Sequence, residues 1–463
     1  MAFRLTAWRP WRRPAGGDHI SVGDVADSEA VAIGPGAVAR VDRRSGGVYV
    51  EGGKMVAATA AIVGVLAYAF WRVNQPGCEL RQYNIAVVPF GQVDARGQVA
   101  PWPEGATLSR GTFATLRDEI GADKAFKDVV GVCYHDVQPI GETDPVKRGE
   151  RAGQLAQQLH ANLLIYGNLT RQSAGEAFAP EFYVDVKELR GGEELVGAGK
   201  IGRPVAFVLS GLGGMPTQGE VAARTQALVK FAAGLVYLQV KQYDLAAQLF
   251  TQAAQVPGWN EDDGKEVPHL FAGTAFKLRN GPGDLDRARQ EYQTAAAIDQ
   301  QYARAYVGLG LVAYQQYVRA TPDQEMKYLD ESRSWFDRAE RATEKPAAGY
   351  VDEKVAVTIG IVDVEKAQRV SSAAEREALL AEAEQKFAEL IREHEQKKDD
   401  ATLTGITSNA YRGLGTIQEL RGRADEAVNS YQQAIATAAD HPDVRDYAQA
   451  RIAEIQRQRG AAG

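Results

Sequence analysis

Cysteine is nearly missing from this chain. Only Cys78 and Cys133 occur in 463 residues, which excludes a disulfide framework and any cysteine-based metal site. In an oxidising compartment the two could pair, but nothing in the sequence shows that they approach each other, and two unpaired thiols are the expectation. Histidine is as sparse: His19, His135, His160, His269, His394 and His441 stand singly, and no HxxxH or HExxH spacing offers a metal its ligands. No cofactor and no metal are therefore expected. An excess of positive charge is also lacking. Lys and Arg number 53 against 60 Asp and Glu, so the whole chain gives no electrostatic case for nucleic acid.

Complete catalytic signatures are absent as well. Gly197-Ala198-Gly199-Lys200 would need glycine at 194 and Ser or Thr at 201 to cradle a phosphate, where Glu194 and Ile201 stand. Ser210-Gly211-Leu212-Gly213-Gly214 lacks the glycine two residues before the serine that a nucleophile elbow requires. No nucleophile, base and orienting acid can be assembled, and the chain is expected not to be an enzyme.

Long apolar runs are reduced to one, Met55–Trp71, between Lys54 and Arg72. A helix of that length spans roughly 25 Å, the lower end of what crosses a bilayer, and Tyr68, Phe70 and Trp71 gather at one end as an interfacial belt would. A single transmembrane helix over 55–72 is expected. The arm before it, 1–54, opens with Arg4, Arg9, Arg12 and Arg13 among Trp8 and Trp11, suited to anionic headgroups. It continues with alternating Val and Ile between glycine turns, the pattern of short strands. Arg40, Arg43, Arg44 and Lys54 outnumber Arg72 and Arg81 on the far side, which points to a single-pass protein of the cell membrane with its body extracytoplasmic.

Residues 79–205 alternate strand and helix. Tyr83–Phe90 is an apolar run ending in Pro-Phe, a buried parallel-type strand. A helix is expected over 108–120, a strand over 128–134, a helix over 147–159, and strands over 163–169, 182–189 and 194–200. Such alternation predicts a small α/β sandwich with hairpin-linked strands at its end. The run IAVVPF, followed later by LAQQLHANLLIYGNLT, resembles the TolB amino-terminal-like domain over about 120 residues. His160-Ala161-Asn162 stands where that family has Gly-Ala-Asp. The resemblance implies a domain placed between a membrane helix or signalling module and helical repeats, with no catalytic residues to carry over.

After a linker over 206–218, internal periodicity takes over. Gly234, Tyr237, Ala246, Phe250 and Ala253 are followed by Pro257, and the frame returns at Gly415, Ala427, Tyr431 and Ala434. These intervals resemble the tetratricopeptide repeat, in which two helices approach at the small residues and the aromatics fill the space between. Gly273, Phe276, Ala288, Tyr292 and Ala295 fit with a longer loop at Asn280–Gly283. Tyr306, Leu309 and Gly310 pair with Ser332, Phe336 and Ala339, and Gly360 pairs with Ala383 and Phe387. An all-α superhelix over 219–458 follows, ending in a polar, fraying tail from Arg451.

Stacked helix pairs leave a concave face for a peptide or protein partner. Polar positions on the first helix of each pair, Lys230, Gln239, Arg304, Gln315 and Arg412, are the candidate contacts. The expected function is a membrane-anchored, non-enzymatic scaffold that recruits a protein partner. The alternatives are a sensory receptor whose α/β domain takes a ligand, and an enzyme with an unrecognised site.

Overall fold

The computed structural model describes residues 81–462, apart from 95–97, 123, 125, 127, 173–174, 186–191, 203–204, 208–218, 258–263, 347–348, 398–399 and 439–440, together with the backbone of three strands between 30 and 51. The chain divides into two compact units, Met1–Cys78 and Glu79–Gly463. In the first, β1 (Ala30–Ala32), β2 (Val38–Asp42) and β3 (Gly47–Glu51) form an antiparallel meander, as the alternating Val and Ile pattern predicts.

The second unit begins with an eight-stranded mixed sheet. Its spine runs β10 (Gly197–Lys200), β9 (Gly175–Val184), β8 (Leu163–Gln172), β4 (Tyr83–Val87), β7 (Val130–Tyr134). Strand β4 is parallel to β7 on one side and to β8 on the other, and β8–β9 is an antiparallel hairpin. The continuous apolar run is explained by burial on both faces. Tyr83, Ile85 and Val87 pack with Leu108, Leu116 and Ile120 of α1 (Pro103–Ala122). Ala86 and Val88 pack with Ala152, Leu155 and Ala156 of α2 (Pro145–Gln158) on the other face. Short strands β5 (Gly91–Val93), β6 (Val99–Pro101) and β11 (Val205–Phe207) complete the sheet. Their three-residue length gives no periodicity to read in the sequence.

Helix α2 starts where its sequence says it should. Asp144 accepts a hydrogen bond from the Lys147 N–H at 3.0 Å, and Pro145 occupies the first turn, where its missing N–H costs nothing. The helix ends at His160, whose φ of 51° is left-handed, so a non-glycine residue takes the conformation a C-terminal glycine would adopt without strain. In the first turn Arg148 is buried. It donates from Nε to Glu181 at 2.7 Å and from NH1 to the Ile140 carbonyl at 2.9 Å, and its guanidinium lies 5.1 Å from the Tyr166 ring centroid.

The remaining elements are helical hairpins. Helix α3 (Gly219–Gln239) pairs with α4 (Tyr243–Ala254), α5 (Glu266–Arg279) with α6 (Asp284–Ile298), α7 (Ala303–Val318) with α8 (Glu325–Arg341), α9 (Val351–Ala367) with α10 (Ala373–Gln396), and α11 (Ala401–Leu420) with α12 (Ala424–Thr437), before α13 (Pro442–Ala462). Each pair closes on one glycine of its first helix and one aromatic ring of its second. A Cβ added at Gly234 would lie 2.6 Å from Phe250, at Gly273 2.8 Å from Tyr292, at Gly310 2.7 Å from Phe336, at Gly360 2.5 Å from Phe387, and at Gly415 2.6 Å from Tyr431. Ala246, Ala253, Ala427 and Ala434 are buried beside them, and Tyr237 is buried at the end of the row.

An arginine at or just past the end of α5, α9 and α11 ties successive pairs together. Arg279 reaches Asp244, Arg369 reaches Glu325, and Arg421 reaches Glu377, each acid standing at or near the start of the preceding second helix. Both ends favour this arrangement, since acids suit helix N-termini and cations C-termini.

Four expectations are corrected. Among the described residues no helix is long and apolar enough to cross a membrane, so the fold class is a mixed α/β sheet joined to a helical solenoid, without the spanning helix. The run 55–71 lies outside the described residues. The described helices are amphipathic or charge-interrupted because their apolar sides face neighbouring helices: α9 carries Asp352, Glu353, Lys354, Asp363, Glu365 and Lys366 among its valines. Cys133 is disulfide-bonded, not a free thiol, and the chain's other cysteine, Cys78, lies outside the described residues. The expected fraying tail is the helix α13, held by the buried Ile455 and by an ion pair from Arg451 to Glu419. The face expected to be free is covered by the sheet part along the early first helices.

Candidate interaction surface on the helical repeats

The first helices of the early pairs are covered by the chain's own α/β part. One core cluster runs without a break from Tyr83 in β4 to Val312 in α7. Phe182 of β9 meets Phe231 of α3 with ring centroids 4.9 Å apart, and Phe126 meets Tyr237 at 4.4 Å. Polar contacts continue the seam. Lys277 of α5 lies 3.1 Å from Glu194, and Arg304 of α7 donates to the Val196 carbonyl at 2.9 Å.

Of the candidate contacts, Arg304 is therefore 1 % exposed and serves the interior instead of a partner. Lys230 is half-buried and donates to Gln252 at 3.2 Å. Gln239 is half-buried at the last turn of α3. Gln315 is half-buried, and its Oε1 has no hydrogen-bond partner. Arg412 is half-buried with its guanidinium 5.6 Å from the Tyr447 ring centroid. Helical position alone does not distinguish Arg304 from Arg412, because which first helices lie under the sheet is a long-range fact.

Beyond the sheet, an aromatic and arginine surface joins α7, α9, α11 and α13. Tyr314 and Tyr317 have ring centroids 5.4 Å apart. Tyr317 donates to Glu365 at 2.7 Å, and Arg369 donates to the Tyr317 hydroxyl at 2.7 Å with its guanidinium 4.9 Å from that ring. Burial first, and then the Glu365 carboxylate, pushes the Tyr314 hydroxyl up to about 12, against the opposing pull of Arg412 and Arg369. Those side chains, with Tyr447, share one neighbourhood. Arg412 has no carboxylate partner among the described residues. Tyr447 is 40 % exposed, and Val318 and Leu420, at the last turns of α7 and α11, are exposed as well. Tyrosine supplies large contact area at low entropic cost, and tyrosine and arginine are both enriched among the residues that dominate interface energetics. No sequence motif marks this patch, because its members come from four separate helices. Among the described residues no group of His, Cys, Asp and Glu could hold a metal ion.

Residues 282–316, which contain α6 and most of α7, match the family model described as TPR repeat. The matched stretch is a TPR repeat, and the other helical pairs share its glycine-to-ring packing. Solved structures similar to this chain include a thermophilic TPR protein of Thermus thermophilus, 18% identical, with 49% of this chain and 98% of that chain covered and a TM-score of 0.34. PilW, a widely conserved type IV pilus biogenesis factor, is 15% identical over 51% of this chain and 92% of its own, with a TM-score of 0.34. YrrB, a TPR protein with an unusual peptide-binding site, is 13% identical over 48% of this chain and 92% of its own, with a TM-score of 0.29. No protein of curated function matches the chain. Repeats of this fold are in general non-enzymatic scaffolds that bind peptides or proteins.

Proposed function

We propose that this chain is a non-enzymatic interaction scaffold that recruits a protein partner through the uncovered part of its tetratricopeptide solenoid. One observation carries the reading: Tyr317, Arg412 and Tyr447, gathered from three helices beside the largely buried Tyr314, offer an exposed ring at Tyr447 and a half-buried guanidinium without a carboxylate partner among the described residues. Such groups gain most when a partner excludes water around them. The α/β part, similar to the TolB amino-terminal-like domain, stiffens the early repeats and leaves the late ones to the partner. The disulfide at Cys133 suits a body held in an oxidising compartment. Alkylation of native protein with and without reductant tests that placement, and free thiols in freshly isolated protein count against it.

The test of the main reading uses the full chain as bait in a lysate of its own source cells. Arg412→Glu and Tyr447→Ala should each lose the captured partner while melting like the wild type. Capture that is indifferent to both changes would move the interaction elsewhere on the molecule.

A further inference from the structure

The segment from Gly192 to Gly202 is held by the repeats much as a foreign peptide would be. Its short turn, Glu193–Leu195, and Val196 lie against α7 and α9. Lys277 from α5 stands 3.1 Å from Glu194 Oε1. Arg304 from α7 donates to the Val196 carbonyl at 2.9 Å, and Arg224 from α3 donates to the Ile201 carbonyl at 3.3 Å. Three cations from three successive first helices thus address one stretch of chain. Two of them read main-chain carbonyls, which any sequence offers; the third reads the glutamate. Leu195 is fully buried between them.

This docking is costly for its polar groups. Glu194 is fully buried and its Oε2 has no hydrogen-bond partner. A buried ion pair recovers little more than the desolvation it requires, and an unmet carboxylate oxygen adds to the deficit. Glycines stand at both ends of the stretch. Gly192 and Gly197 flank it, with φ at Gly197 of 107°, a region that side-chain-bearing residues avoid. From Gly197 onward the chain is fixed again as β10 on β9.

We propose that residues 193–196 are an intramolecular occupant of a peptide groove lined by Lys277, Arg304, α7 and α9, and that an acidic peptide able to adopt the same turn enters it only when this one lifts out. The inference rests on the reading of the repeats as a protein-binding scaffold and adds a second, self-covered subsite to it. The chain's own turn then sets the affinity for a partner carrying a glutamate followed by an apolar residue.

The probe is a fluorescein-labelled peptide of residues 191–199, GGEELVGAG, titrated into the full-length chain by anisotropy. Glu194→Lys, which places a second ammonium opposite Lys277, should bind it at least about tenfold more tightly than the wild type. A peptide with glutamine at the Glu194 position should lose that gain. A Glu194→Lys chain that melts like the wild type yet gains no affinity would overturn the proposal. Hydrogen exchange on the wild-type chain gives a readout that no variant can spoil: amides of 194–196 should open well before those of β9 and α5. Exchange of that turn only on global unfolding would also overturn it. Partner capture that depends on Arg412 but not on the state of residue 194 would leave the scaffold standing and remove the groove.

Discussion

Gly234 faces the ring of Phe250 so closely that a single added methyl carbon would lie 2.6 Å from it. This contact defines the pairing of α3 with α4, and the sign of its effect on stability can be worked out. Alanine replaces glycine in a helix interior with a gain of about 0.5–1 kcal/mol when space permits. Here the ring is fully buried and cannot retreat. Gly234→Ala should therefore destabilise by about 1–3 kcal/mol through overpacking. Gly121→Ala in α1, where nothing lies within 4 Å, should be stabilising or neutral. Urea unfolding of both variants checks the contrast, and a stabilised Gly234→Ala would contradict the packing.

Arg148 holds the α/β part together from inside. Arg148→Met should cost about 3–5 kcal/mol, because it leaves the Glu181 carboxylate buried without its partner. Arg148→Lys should recover only part of this, since an ammonium cannot span Glu181 and the Ile140 carbonyl as the guanidinium fork does. Thermal melts of the two variants give the comparison.

A pH effect resides in α9. Burial, with a further contribution from Glu393, pushes the Glu353 carboxyl from its ordinary 4.5 to about 7. The folded state thus holds this proton more tightly than the unfolded chain. The stability it contributes is fully present below about pH 4.5 and is lost as pH rises through about 7. Glu353→Gln should flatten the stability profile across that window by about 1–2 kcal/mol, after allowance for the part of the side chain that water reaches. Chemical denaturation at pH 5 and pH 8 measures it, and an unchanged difference would refute the assignment.

Ser372 starts α10 by accepting a hydrogen bond from the Glu375 N–H at 3.3 Å. Ser372→Ala should cost about 1 kcal/mol, the usual worth of a helix cap. Ser372→Asp should not, and hydrogen exchange in the first turn of α10 separates the two.

Much of this architecture is legible in the residue order. The Ser372 and Glu375 spacing announces a helix start, and the glycine-to-aromatic intervals recover even the stretched pairs, Gly310 with Phe336 and Gly360 with Phe387. The loop at 280–283 accommodates its extra residues through left-handed conformations at Asn280 and Gly283. The sheet was readable at Tyr83–Val87 because burial on both faces demands an unbroken apolar run. Strands β5, β6 and β11 were not, being too short to show a period. The candidate surface was the least visible part, since Tyr314, Arg412 and Tyr447 are distant in sequence and marked by no shared motif.

Residue order alone determined the helical pairs, because each pair is a local contact between side chains at fixed spacing. It also marked the central strand, because burial on both faces demands an unbroken apolar run. Tertiary structure decided what lies against what. Arg304 and Arg412 occupy similar polar positions on first helices, yet one is sealed beneath Val196 and the other rests on Tyr447 near open solvent. That difference arises from the sheet edge docking across α3 to α9, a contact between segments more than a hundred residues apart, which periodicity has no means to encode.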